Sequence, residues 1–208
     1  GKGANQALAA RRLGAEVQLV ARVGRDAAAD EALALLRAGG VDLAHCVVDE
    51  AAATGVALIA VAADGENQIV VAPGANARLV PADVGDLPLA DALLCQLEVP
   101  VATVVHAAAH ANGFVALNLA PALDVPAGLL EHADLLVVND TEALHYGEAL
   151  HRGGGLVAVT HGARGATLLR GGRMIANAAP PRVDVVDSTG AGDSFVAALL
   201  VALLVHQP

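Results

Sequence analysis

Apolar residues recur along the chain in two rhythms. Short continuous runs of Val, Leu and Ala predict buried strands, and apolar positions three and four apart predict helices. Residues 6–13 read as a helix closed by Gly14, followed by a strand over 17–23. A helix over 27–38 is ended by Gly39-Gly40. Strands over 57–62 and 68–72 are predicted to form a hairpin turning at Asp64-Gly65. Residues 92–97 read as a buried strand. Pro100 then suits the first turn of a helix running to about Ala111, with Gly113 after it. Further strands are predicted over 114–118, 135–138 and 156–160, with a helix over 141–150. A second hairpin joins 166–170 to 173–176 across Gly171-Gly172. A strand over 183–186 precedes a long helix over 190–205. Repeated strand-helix-strand units imply an α/β fold, with a mostly parallel sheet covered by helices on both faces. Ligands then gather at the carboxyl ends of the strands.

Composition narrows this picture. The chain has 208 residues, a length that suits one domain. It is 55% hydrophobic, yet Phe114, Phe195 and Tyr146 are its only aromatic residues. A core of small aliphatic layers follows, as in parallel sheets. The formal net charge of -10, with no basic stripe, argues against a nucleic-acid partner. It leaves phosphate ligands open, because local backbone amides bind them. Cys95 lies in an apolar run and reads as core. With Cys46 the only other cysteine, no disulfide framework is expected and a reducing cytoplasm is the expected compartment. No signal peptide or bilayer-length apolar span is read, so no membrane partner is expected. The chain opens at Gly1-Lys2-Gly3 and closes at Pro208 straight after a helical run, and both ends read as cuts.

Candidate chemistry sits where strands end. Asp187-Ser188-Thr189-Gly190-Ala191-Gly192-Asp193 opens the long helix. Its glycines allow close backbone approach, and free amides at a helix start favour an anion. The same residues also make an ordinary helix cap. Asn139-Asp140-Thr141-Glu142 has the form of a capping box and equally offers Asn139 and Glu142 to a hydrated Mg²⁺. Gly1 to Gln6 starts a helix with Lys2 and Asn5 available, although it is no Walker A loop. Thr160-His161-Gly162 ends a strand in a turn, and Gln96-Leu97-Glu98 places a carboxylate at a sheet edge. His106 and His110 share a helix face without an evident third ligand. Neither a nucleophile elbow nor a dinucleotide fingerprint occurs.

Taken in order, these segments resemble the ribokinase family of carbohydrate kinases, a group that includes fructokinases and adenosine kinases. The resemblance runs through Gly1 to Gln6, Thr54-Gly55-Val56-Ala57, Gly65-Glu66-Asn67 and Gly74-Ala75-Asn76. It continues through Gln96-Leu97-Glu98, Asn118-Leu119-Ala120-Pro121-Ala122, Asn139 to Glu142, Thr160-His161-Gly162 and Asp187 to Asp193. It implies a three-layer sandwich around a mostly parallel sheet, with one kinase domain over 1–208. A hairpin over 54–72 would form part of a β lid.

The resemblance also implies ATP-dependent phosphorylation of a sugar hydroxyl. The first segment, the G-E-N segment and the N-L-A-P-A run point to the members acting on D-ribose. Asp193 matches the catalytic base, and the amides of Gly190, Ala191, Gly192 and Asp193 the anion hole. Gly1, Lys2, Asn5 and Glu98 match sugar-binding positions. Asn139, Thr160 and Gly162 match the nucleotide region, with Glu142 facing Mg²⁺ through water. Asp187 and Thr189 match part of a monovalent-cation site for K⁺. A homodimer through lid strands is a further family trait. Relative to the family, a first strand, other lid strands and C-terminal helices are missing, and the link from 150 to 156 is short. The expectation is a weak or silent kinase, unless a partner chain supplies the missing parts. The rivals are a kinase for another sugar or a nucleoside, and an inactive fragment that only binds ligand or partner.

Overall fold

The structure is a computed structural model and describes residues 1–61, 67–85, 89–185 and 187–206. Helix α1 spans Lys2–Arg12, followed by β1 at Ala21–Gly24, α2 at Ala27–Ala38 and β2 at Cys46–Asp49. Strands β3 (Val56–Val61) and β4 (Asn67–Ala72) precede the short α3 at Pro81–Val84. Then come β5 (Ala92–Gln96), α4 (Val101–His110), β6 (Phe114–Asn118), α5 (Ala127–His132), β7 (Leu135–Asn139) and α6 (Asp140–Tyr146). Strands β8 (Leu156–Thr160), β9 (Ala166–Arg170) and β10 (Arg173–Ala178) lead to α7 at Ala191–Val205.

Local chemistry explains these boundaries. Asp26 caps α2 by accepting from Ala29 N at 2.9 Å, and Gly40 closes its far end at φ +76°. Between them Ala29, Leu33 and Leu36 recur on one face and are buried. That face packs against Ala7 of α1.

Among the described residues, the central sheet has six strands in the order β10-β9-β8-β7-β6-β5. Strands β5 to β8 are parallel and neighbour one another in chain order, while β9 and β10 turn antiparallel at one edge. Crossovers of one hand between consecutive parallel neighbours put their helices on a single face. Accordingly α4, α5 and α6 share one apolar cluster with Val115, Leu117, Leu136, Val138 and Val157. The opposite face carries α7, whose Val196 and Leu200 pack on Ala116, Leu135, Val137, Leu156 and Ala158. Helix α1 packs on α7. Strands β1 and β2 pair as a separate parallel ribbon, and β3 and β4 as a separate antiparallel one.

The α/β class and mostly parallel sheet match the sequence pattern, and several elements differ in extent. The strand expected over 17–23 pairs as a ladder only at Ala21–Gly24, with a single bridge between Gln18 and Asp42 before it. The helix expected over 141–150 is α6 followed by a tighter 3₁₀ stretch at Gly147–His151, because Gly147 turns to φ +50°. The strand expected over 183–186 is absent at 183–185. Val183 and Val185 are 69% and 71% exposed, and no sheet edge among the described residues receives them. Val186, the Asp64-Gly65 turn, and Gly65 and Glu66 of the G-E-N segment lie outside the described residues.

Cys46 and Cys95 are both free, and burial pushes the Cys95 thiol up to about 12. No helix among the described residues is long and apolar enough to cross a membrane.

Candidate active site

Period-two alternation builds the floor of the site. Along β5 to β8, the residues that face α7 are apolar until the last position of each strand. There the same face carries Gln96, Asn118, Asn139 and Thr160. Gln96 is registered opposite Asn118, and Asn139 opposite Thr160. The apolar layer under α7 therefore ends in a row of polar groups at the carboxyl edge of the sheet.

The start of α7 stands over this row. Gly190 caps the helix at φ +75°, in the left-handed region where a β-carbon is costly. Around the position a β-carbon of Gly192 would take, no atom of the described residues outside its own stretch of helix lies within 4 Å, so the helix start opens onto free space. Amides in a first turn have no carbonyl one turn back. Of these, Ala191 N donates to Ser188 O at 3.1 Å. The first-turn amides of Gly192 and Asp193 remain to face a ligand.

Asp193 is buried in that first turn, at 8% exposure. Two neutral amides hold its carboxylate. Asn5 Nδ2 donates to Oδ2 at 2.8 Å, and Gln6 Nε2 donates to Oδ1 at 2.9 Å. Helix α1 thus supplies both donors. Gln6 also donates to Asn118 Oδ1 at 2.9 Å and accepts from Gln96 Nε2 at 2.5 Å.

A cavity of about 160 Å³ lies between the polar row and α7. Lys2, Asn118, Asn139, Glu142, Thr160, Gly190, Gly192 and Asp193 line it, with Ala120, Val137, Val138 and Val196 as its apolar walls. Asn139 and Glu142 form a reciprocal cap on α6. Asn139 N donates to Glu142 Oε2 at 2.8 Å, and Glu142 N donates to Asn139 Oδ1 at 2.8 Å. Burial pushes the Glu142 carboxyl above its ordinary value, against the opposing pull of the Asn139 amide and of Lys2.

The sequence-derived candidates divide by place. Lys2, Asn139, Glu142, Thr160, Gly190, Gly192 and Asp193 share the cavity, and Asn5 reaches it through Asp193. Glu98 Oε2 accepts from Lys2 N at 2.7 Å, and a β-carbon on Gly1 would stand 2.7 Å from the same oxygen. Gly1 and Glu98 therefore pack against each other beside the cavity. Gly162, Ala191, Asp187 and Thr189 are not in its lining. Gly162 turns the chain at φ +57° just beyond Thr160. Thr189 N donates to Asp187 Oδ1 at 2.8 Å and holds that carboxyl below its ordinary value.

Gln6 and Asn118 join the site although neither was assigned a role from sequence. Their signal was available: Gln6 is a polar residue on the buried face of α1, and Asn118 closes an apolar strand. His106 and His110 stack at 4.2 Å on α4, and among the described residues no three His, Cys, Asp or Glu side chains gather to hold a metal.

The chain is similar to known proteins in sequence and in fold. The pfkB family carbohydrate kinase profile matches residues 1–208. The chain is 37% identical to a ribokinase of Bacillus subtilis, over 98% of this chain and 73% of that protein. It is 32% identical to a deoxyribokinase of Salmonella typhi, over 94% of this chain and 71% of that protein. Among solved structures, Thermotoga maritima ribokinase superposes with a TM-score of 0.89 at 30% identity, covering 100% of this chain and 74% of that one. Arabidopsis thaliana ribokinase, solved with ribose and ATP, gives 0.87 at 28%, covering 100% of this chain and 75% of that one. The profile match over the whole chain, the identity to curated relatives and the shared fold place this chain in the pfkB family of carbohydrate kinases, and it is a sugar kinase.

Proposed function

We propose that the chain transfers the γ-phosphoryl group of ATP to the primary hydroxyl of D-ribose, giving ribose 5-phosphate and ADP. The observation that carries this reading is the buried carboxylate of Asp193, held by neutral amides at a helix start that opens onto the cavity. In this reading Asp193 accepts the hydroxyl proton as the sugar oxygen bonds to phosphorus, and the bond from phosphorus to the ADP oxygen breaks. Carboxylates as a class are weak bases. Phosphoryl transfer depends mainly on positioning and charge stabilisation, so a weak base suffices. The amides of Gly192 and Asp193, with Gly190 before them, face the transferring group as its charge spreads. Ala191 contributes there only if its bond to Ser188 O opens.

The cavity of about 160 Å³ suits the reacting groups rather than a whole nucleotide and sugar. The rest of each substrate lies along its rims. Asn5, Lys2, Gly1 and Glu98 form the sugar rim, under a lid to which strands β3 and β4 contribute. Asn139, Thr160 and Gly162 form the nucleotide rim. Mg²⁺ arriving with ATP neutralises phosphate charge. Glu142 fits a water-mediated contact, since one carboxylate oxygen serves the cap and Oε1 accepts no hydrogen bond among the described residues. A K⁺ ion beside Asp187 and Thr189 belongs to the same reading. These two groups are too few to hold an ion alone, so no step is assigned to it. Two free cysteines suit a reducing cytoplasm.

A relative named deoxyribokinase supports 2-deoxy-D-ribose as the rival acceptor. A panel of D-ribose, 2-deoxy-D-ribose, D-fructose and adenosine, scored by kcat/KM for ADP release, separates them. The expected result is the highest value with D-ribose and a product identified as the 5-phosphate. A higher value with another acceptor overturns the ribose assignment.

A further inference from the structure

We propose that Gln6 is a positioning residue that aims the carboxylate of Asp193, and that a backbone carbonyl of the central sheet sets its orientation. This rests on Asp193 being the base. The argument is one of donors and acceptors. A backbone carbonyl can only accept, and Asn118 Nδ2 donates to Val137 O at 3.3 Å. That fixes which end of the Asn118 amide points away, so Asn118 Oδ1 faces Gln6. Only the NH₂ end of Gln6 can satisfy that oxygen, at 2.9 Å. Gln96 Nε2 donates to Gln6 Oε1 and so completes the bonding of the Gln6 amide. One N–H of Gln6 is then left, and it meets Asp193 Oδ1 at 2.9 Å.

Burial makes the arrangement rigid. Gln6 is 1% exposed and Asn118 8% exposed, so these bonds are largely shielded from bulk water. A flipped Gln6 amide would set its oxygen against two acceptor oxygens, one of them charged, in a buried site. The chain of bonds runs from β7 through β6 and α1 to α7, and joins residues 187 positions apart. A satisfied core amide with no catalytic part would show the same bonds, so the test must separate alignment from stability.

Kinetics in two backgrounds does so. Misplacing a reacting group by about 1 Å costs on the order of 10²-fold. Gln6→Met is expected to lower kcat by about that factor, with KM for ribose and ATP changed less than about 3-fold. In an Asp193→Asn background the same substitution is expected to change the residual rate less than about 3-fold, since the group to be aimed is gone. Gln96→Leu removes only the bond to Gln6 Oε1. It is expected to lower kcat by roughly 3- to 10-fold with the same dependence on Asp193, and it decides the matter if Gln6→Met shows no cooperative thermal transition. An equal factor in both backgrounds, or a loss confined to KM, overturns the positioning role of Gln6 and leaves Asp193 as the base. Ribose-dependent turnover in Asp193→Asn within about 10-fold of the parent's overturns both.

Discussion

Two carboxylates stand at the carboxyl edge of the same sheet and are held in opposite ways. Asp193 is buried and bonded by the uncharged amides of Asn5 and Gln6. Asp140, whose side chain is 49% exposed, is bonded by Arg164 NH2 at 2.7 Å and by His161 Nδ1 at 2.6 Å. The His161 ring also reaches Thr167 Oγ1 at 3.0 Å, which ties the turn after β8 to β9. An Arg beside Asp193 would have cancelled the charge that the proton transfer uses. Neutral amides orient the carboxylate and leave that charge to the substrate. At Asp140 the charge itself is the fastener, and water and salt screen it.

The largest contrast should come from the same substitution at both corners. Asp193→Asn is expected to lower kcat by at least about 10³-fold, within the range assigned to a base acting with correct alignment. Asp140→Asn is expected to leave kcat within about 3-fold and to raise KM for ATP by a few-fold, an effect that shrinks at high salt. Steady-state kinetics at two ionic strengths reads both. Comparable kcat losses at the two corners would erase the distinction.

Next in size is the helix start. Gly190→Ala forces a β-carbon into φ +75°. It is expected to cost about 1–2 kcal/mol, seen as a lower Tm, together with a fall in kcat as the first-turn amides shift. An unchanged Tm would show that the turn relaxes freely.

The smallest effect concerns Glu142. Burial raises its carboxyl above the ordinary 4.5, so the folded state binds this proton more tightly than the unfolded state. Lowering the pH therefore relieves a penalty that is fully present at neutral pH. Glu142→Gln keeps an acceptor for Asn139 N and is expected to raise Tm at pH 7. The difference should shrink as pH falls through the raised value and vanish below 4.5. A Tm difference independent of pH would assign the change to the cap alone.

The sequence revealed the sheet better than the site. Strands β6, β8 and β9 and helix α2 have the bounds that their apolar runs and glycine stops imply. Short or exposed elements were less legible. Strand β2 is four residues long, and α5 is a single short helix between two buried strands. Val183 and Val185 alternate like a strand but meet no sheet edge, which a local pattern cannot reveal. At the site, residue types at strand ends pointed to Asp193, Asn139, Glu142 and Thr160. The bonds from Asn5 and Gln6 to Asp193 depend on how α1 packs on α7, and nothing local encodes that. A usable signal did stand in the text: ALLCQ, FVALN, LLVVN and LVAVT each end in a polar residue on one face.

The most direct test of the account is ribose-dependent ADP release by the folded chain with ATP, Mg²⁺ and K⁺, run beside Asp193→Asn. The account predicts ADP and ribose 5-phosphate in equal amounts from the unmodified chain, and loss of both in the variant. Folded protein that releases no ADP on addition of ribose, or a variant as active as its parent, would contradict it.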